Sequence, residues 1–252
     1  MFPASKRVSI KRGGLIIKEV FNMNSEGVRK LITLFIALGI SIAISAGVSF
    51  AGPKEGEAIF KKQNCGKCHQ TKGPATEKTF KDQMKKKGPE LWYAGDKFKK
   101  DWLEEWLANP TIIRPLKYNS ITEKNTGGHP ALSKSQAKDV AAYLLTLKSG
   151  AVKEGVVKEK SSPRAKLSFK KKYGCIGCHT IKKGKKKKIG GITGPDLSEA
   201  GKRLKGDWVY MYLKKPKLFK PVKRMPIFTG IINDAEMKAL AGFVASQGRK
   251  KK

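Results

Sequence analysis

The sequence predicts an all-α protein made of two tandem modules, residues 52–148 and 165–252. Three observations carry that expectation: landmark residues that recur at one fixed offset, apolar spacing of helical period, and no sustained alternation of strand type. Gly88-Pro89-Glu90-Leu91 returns as Gly194-Pro195-Asp196-Leu197, and Asp101-Trp102 as Asp207-Trp208. Pro110 and Pro115 return as Pro216 and Pro221. Every pair is 106 residues apart, which marks a duplication.

Each helix follows from a local signal. Residues 54–64 and 165–173 form the approach to a cysteine motif, with Phe60 and Phe169 as core candidates. The aligned residues Gly56 and Lys166 differ, so these two helices are expected to dock differently. A middle helix is predicted over 101–109 and 207–215, each opened by Asp and closed by Pro. The last helix has a capping-box start, Ser133 with Gln136 and Asn233 with Glu236. Behind these caps, Ala137, Val140, Ala141, Leu144 and Leu145 share a face, as do Met237, Leu240, Ala241 and Val244. Residues 149–164 are charged, contain Gly, Ser and Pro, and show no apolar face, which predicts a linker. The Lys-rich stretches at 85–87, 182–188 and 250–252 are expected as exposed loops or tail.

Ahead of the modules, residues 31–50 carry no charge and follow Arg29-Lys30, and Ser49-Phe50-Ala51 offers small residues at −3 and −1. Residues 1–51 are therefore predicted to be a secretory signal cleaved after Ala51. Their apolar stretch is also long enough for an uncleaved anchor, through which the chain would contact a membrane.

The 252 residues hold 54 Lys plus Arg against 20 Asp plus Glu, a formal charge of +34. Of the basic residues 46 are Lys and eight are Arg. The compact, hydrated Lys ammonium suits loose contact, whereas Arg is the fork for bidentate phosphate recognition. With export expected, nucleic acid is excluded as a partner and an acidic protein is favoured.

All four cysteines lie in two C-x-x-C-H runs, Cys65 to His69 and Cys175 to His179. This is the attachment signal of c-type haem. Two thiols three residues apart on a turn reach the two vinyl groups of one porphyrin, and the His after the second Cys meets the iron. Cys65, Cys68, Cys175 and Cys178 are thus predicted to hold two covalent haems, with His69 and His179 as proximal ligands. Zinc, disulfides and a thioredoxin-like site are the competing readings. The first two leave the repeated His unexplained, and the third lacks its βαβ setting.

Each module resembles a class I cytochrome c domain, and the pair resembles the diheme cytochromes c, over about residues 53–248. The resemblance rests on C-x-x-C-H, the Gly-Pro-x-Leu segment and a distal ligand before the last helix. It implies an all-α fold around each haem, with a haem edge exposed for electron exchange. In such domains the distal ligand is a Met, often before Pro. Met225 of Arg224-Met225-Pro226 fills that place in module 2, with Met211 as the rival. In module 1, His129 of Gly128-His129-Pro130 stands there, with Met84 as the fallback. His129 precedes Met225 by 96 residues, so module 1 carries ten extra residues between Pro115 and its ligand.

Axial Met raises the haem potential, so haem 1 with two imidazoles is expected below haem 2. The expected activity is electron transfer without catalysis, in the periplasm or an equivalent compartment. The partner would be an acidic redox protein or a respiratory complex. Alternatives are a haem subunit of a membrane-anchored complex and a diheme peroxidase.

Overall fold

A computed structural model describes residues 52–184 and 187–249. The leader, and with it the apolar stretch at 31–50, lies outside them. No helix among the described residues is long and apolar enough to cross a membrane.

Module 1 contains α1 (Pro53–Lys62), α2 (Phe80–Lys85), α3 (Ala94–Lys97), α4 (Lys100–Ala108) and α5 (Lys134–Thr146). Module 2 contains α6 (Pro163–Leu167), which runs into a π turn at Ser168–Lys172, then strands β1 (Ile181–Lys183) and β2 (Lys187–Ile189). It closes with α7 (Ala200–Arg203), α8 (Gly206–Lys214), α9 (Pro216–Phe219) and α10 (Asp234–Ala245). The fold is all-α apart from one two-stranded hairpin, in which Ile181 pairs with Ile189.

Both last helices start at the expected caps, but only the first box closes, because the Glu236 side chain goes to Lys172 and Tyr173 instead of the Asn233 backbone. Ser133 accepts from Gln136 N while the Gln136 side chain accepts from Ser133 N, and Asn233 accepts from Glu236 N at 2.9 Å. Both apolar faces turn inward, although Leu145 is only partly buried. The first helices dock differently, as expected. Gly56 brings α1 against the α5 backbone at Asp139, and Phe60 meets Tyr143 at 5.6 Å between centroids. In α6 the contact falls on buried Ala165, one residue before Lys166. The π turn adds a residue to the winding and brings Phe169 against Phe243.

Four expectations need correction. The caps of α4 and α8 are Lys99 and Lys205, with no side-chain bond; the Asp falls inside the first turn, and Asp207 instead accepts from Gly155 N and Val157 N. Lys182, Lys183, Lys187 and Lys188 pair in the β1–β2 hairpin instead of forming a loop. Lys85 ends α2, and Lys86 is half-buried between Glu77 and Glu90. Residues 149–164 do have an apolar side: Val157 is buried, and Glu159 ties Gly206 N, Lys99 and Arg249 together. Isolated valines in a charged segment have no period for sequence reasoning to detect.

The modules are joined about a local two-fold axis. Phe98 and Leu204, 106 residues apart, form an antiparallel bridge. Lys99 N donates to Arg203 O at 2.9 Å, and its counterpart Lys205 N donates to Lys97 O at 3.0 Å. Tyr93 and Trp208 stack across this junction at 5.9 Å, and Phe219 meets Tyr93 edge-on at 5.0 Å. Each such pair is worth about 0.5–1.5 kcal/mol beyond the area it buries.

Candidate functional site

Both cysteine motifs start where a helix is stopped by a left-handed residue. Asn64 has φ 54° and Gly174 has φ 62°, a conformation that Asn and Gly adopt at low cost. The chain then tightens into one 3₁₀ turn, Cys65–Lys67 and Cys175–Gly177. The next backbone bonds run from His69 N to Cys65 O at 3.1 Å and from His179 N to Cys175 O at 3.0 Å. Each His is thereby placed directly beyond its pair of thiols. None of the four cysteines is in a disulfide. Burial pushes the Cys65 thiol up and the Cys175 thiol up to about 11.

The Gly-Pro landmark explains itself here. His69 Nδ1–H donates to the Pro89 carbonyl at 2.8 Å, and His179 Nδ1–H to the Pro195 carbonyl at 2.9 Å. The glycine before each proline lies against the same ring. A Cβ on Gly88 would fall 2.8 Å from His69 Cε1, and one on Gly194 2.6 Å from His179 Cε1. Glycine admits the ring, and the proline carbonyl fixes its tautomer. Burial holds both imidazoles below the usual His range despite the opposing carbonyl bond, so they are neutral, the form that binds a metal.

His129 faces His69, with ring centroids 6.0 Å apart. Two imidazoles held by one metal from opposite sides, at metal–nitrogen distances of about 2.0–2.1 Å, have centroids roughly 6 Å apart. Trp106 packs on His129 at 4.7 Å and is itself fixed by its Nε1–H donating to Thr111 O. Met225 is half-buried on the loop between α9 and α10, and Lys223 Nζ donates to its carbonyl. Met211 packs partly buried on α8, whereas Met84 is 46% exposed on α2.

The helix caps Ser133 and Asn233 are 100 residues apart, so module 1, with ten extra residues between Pro115 and its ligand, gains six between Pro115 and its last helix. The difference arises because His129 lies four residues before its cap and Met225 eight. Part of the added chain folds as a loop closed by a Leu116–Lys124 bridge. Asn119 at its tip, with φ 65°, bonds Gln83 O and Lys86 O at the end of α2.

Among the described residues no three His, Cys, Asp or Glu side chains converge as a metal site would need, so the cysteine pairs do not assemble a zinc tetrahedron. The Cytochrome c family model matches residues 53–148 and again residues 164–248. The chain belongs to the cytochrome c family. No curated protein and no solved structure matches it. Membership gives two tandem cytochrome c domains, covalently bound haem c and electron transfer.

The residues present suit that cofactor. In each cytochrome c domain the proximal candidate has Nδ1 occupied by a carbonyl, which leaves the Nε2 lone pair for iron. Buried N–H groups of Trp92, Trp208 and Arg114 Nε have no partner among the described residues, and haem carboxylates are acceptors of the matching kind. Arg114 belongs to domain 1 yet lies beside the domain 2 site, where its Nη2 donates to Thr193 O at 3.3 Å. Sequence reasoning missed Pro89, Pro195, Trp106 and Arg114. Only the prolines left a signal, in the repeated Gly-Pro.

Proposed function

We propose that the protein is an exported diheme electron carrier, in which His69 and His129 hold haem 1 and His179 and Met225 hold haem 2. The observation that carries this reading is the pair of opposed imidazoles at 6.0 Å in domain 1, beside a Met in the matching loop of domain 2. Bound haem supplies a one-electron iron couple. The polypeptide sets its level: axial Met raises the potential of haem 2 relative to bis-His haem 1. The Pro89 and Pro195 carbonyls raise the basicity of the proximal ligands. For one electron, each 59 mV of difference is a tenfold bias toward haem 2. With His69, His129, His179 and Met225 in these roles neither haem would offer a position to peroxide; peroxide turnover with a reductant would contradict this.

The partner is an acidic redox protein or complex. Lys67, Lys85 and Lys87 line an open cleft with Cys68 and His69, so positive charge gathers beside the haem 1 motif. Opposite charge speeds encounter without requiring tight binding, as a carrier needs. Removal of the leader after Ala51 releases the carrier outside the cytoplasm. The test is the rate of electron transfer to an acidic acceptor across ionic strengths. A steep fall with added salt is expected, and a flat profile would overturn the docking mode.

A further inference from the structure

Gly52 follows the predicted cleavage site and caps α1 with no side chain of its own. Its backbone nitrogen lies 3.1 Å from Oδ1 of Asp139. Asp139 is in the middle of α5, 5% exposed. Among the described residues its carboxylate has no cationic partner, and Gly52 N is its one hydrogen-bond donor. A buried carboxylate without a cation is costly, and a single neutral N–H is a weak match for it. The approach is built in: one turn along α1, Gly56 lets the two helices close until a Cβ there would lie 1.9 Å from Asp139 O.

Domain 2 supplies the contrast. Its first helix starts within the chain and is capped by Ser162, whose side chain accepts from Ala165 N at 3.1 Å. Asp139 is six residues beyond the cap Ser133; the residue six beyond Asn233 is Ala239. At this place in the last helix a carboxylate stands only in the domain whose first helix would begin at a chain end, and the buried Glu236 of domain 2 already has Lys172 and Tyr173 as partners.

We propose that Asp139 receives the N-terminal ammonium of the processed chain, a buried ion pair that forms only after the leader is removed. Hydrolysis of the Ala51–Gly52 peptide bond consumes one water. Ala51 leaves with a carboxylate, and the Gly52 nitrogen becomes an amine that takes up a proton. An α-amine has an ordinary pKa of about 7.7–8.0, so it is charged at neutral pH even before Asp139 favours that form. The hydrogen bond of the precursor, charged on the carboxylate side alone, becomes an ion pair charged on both sides. Processing would thus lock α1 onto α5.

The inference rests on the export reading but not on the haem ligands. The test compares the mature haem-loaded protein with a variant carrying Gly-Ser inserted between Ala51 and Gly52, which keeps the cleavage site and moves the ammonium away. Intact mass fixes both N-termini, and amide hydrogen exchange in α1 and α5 reads local stability. The extension is expected to lower protection there at least tenfold, and in an Asp139→Asn background by less than twofold. The extension needs no change at Asp139, so the first comparison stands even if Asp139→Asn folds poorly. Unchanged protection, or an equal loss in both backgrounds, would overturn the capture. A parent chain that retains its leader, or starts elsewhere than Gly52, would overturn the processing reading instead.

Discussion

Replacing Gly56 with Ala tests whether the α1–α5 contact sets the stability of domain 1. The added methyl would lie 1.9 Å from the Asp139 carbonyl oxygen, 2.5 Å from its carbon and 2.8 Å from Tyr143 Cβ. The first two atoms are helix backbone and cannot rotate aside. The helices must separate by at least about 1.1 Å to restore 3.0 Å. That movement loosens the Phe60–Tyr143 pair and draws Gly52 away from Asp139. Overpacking costs about 1–3 kcal/mol, and a forced backbone displacement belongs at the upper end. Ala returns about 1 kcal/mol over Gly in a helix interior. The net expectation is a loss of about 1–2 kcal/mol, or about 2–8 °C in Tm for a chain of this size. Thermal and guanidinium unfolding of the haem-loaded protein measure it, with mass confirming that covalent haem is unchanged. A variant as stable as the parent would refute the close-contact account.

Other outcomes follow from single residues. Cys175→Ala with Cys178→Ala should leave one covalent haem by intact mass, retained on domain 1; loss of both would mean that the domains do not load independently. Asn233→Ala removes the α10 cap and should cost about 0.5–2 kcal/mol in unfolding experiments. Burial alone would raise the Glu90 carboxyl, but Lys220 at 2.9 Å and Lys86 at 2.8 Å hold it below its ordinary 4.5. A depressed carboxyl contributes stability above its unfolded value that is lost as pH falls through its folded value. Glu90→Gln should therefore shrink the loss of stability seen below about pH 4.5, and an unchanged acid limb would contradict this pairing. His129→Met should raise the haem 1 potential by more than the 59 mV of a tenfold change, measured by redox titration.

The helical fold and its duplication were legible because they depend on local rules and on landmarks such as Gly88-Pro89 that must recur wherever the same site is built. The cap residues Ser133 and Asn233 act within one turn, so they too could be read directly. What escaped was set by tertiary contact. Val157 is buried by neighbours distant in sequence, and the α2–Asn119 contact joins two segments found only in module 1. Trp106 acts on His129 through space, with no fixed spacing to reveal it. Arg114 reaches Thr193 of the opposite domain, a contact across the inter-domain junction that no spacing in the sequence reveals.

Low-temperature EPR combined with a redox titration of the purified protein tests the ligand assignment most directly. The expected result is two low-spin ferric signals, one of bis-His type titrating at the lower potential and one of His/Met type at the higher. A high-spin ferric centre at rest, or two haems of identical ligation and potential, would contradict it.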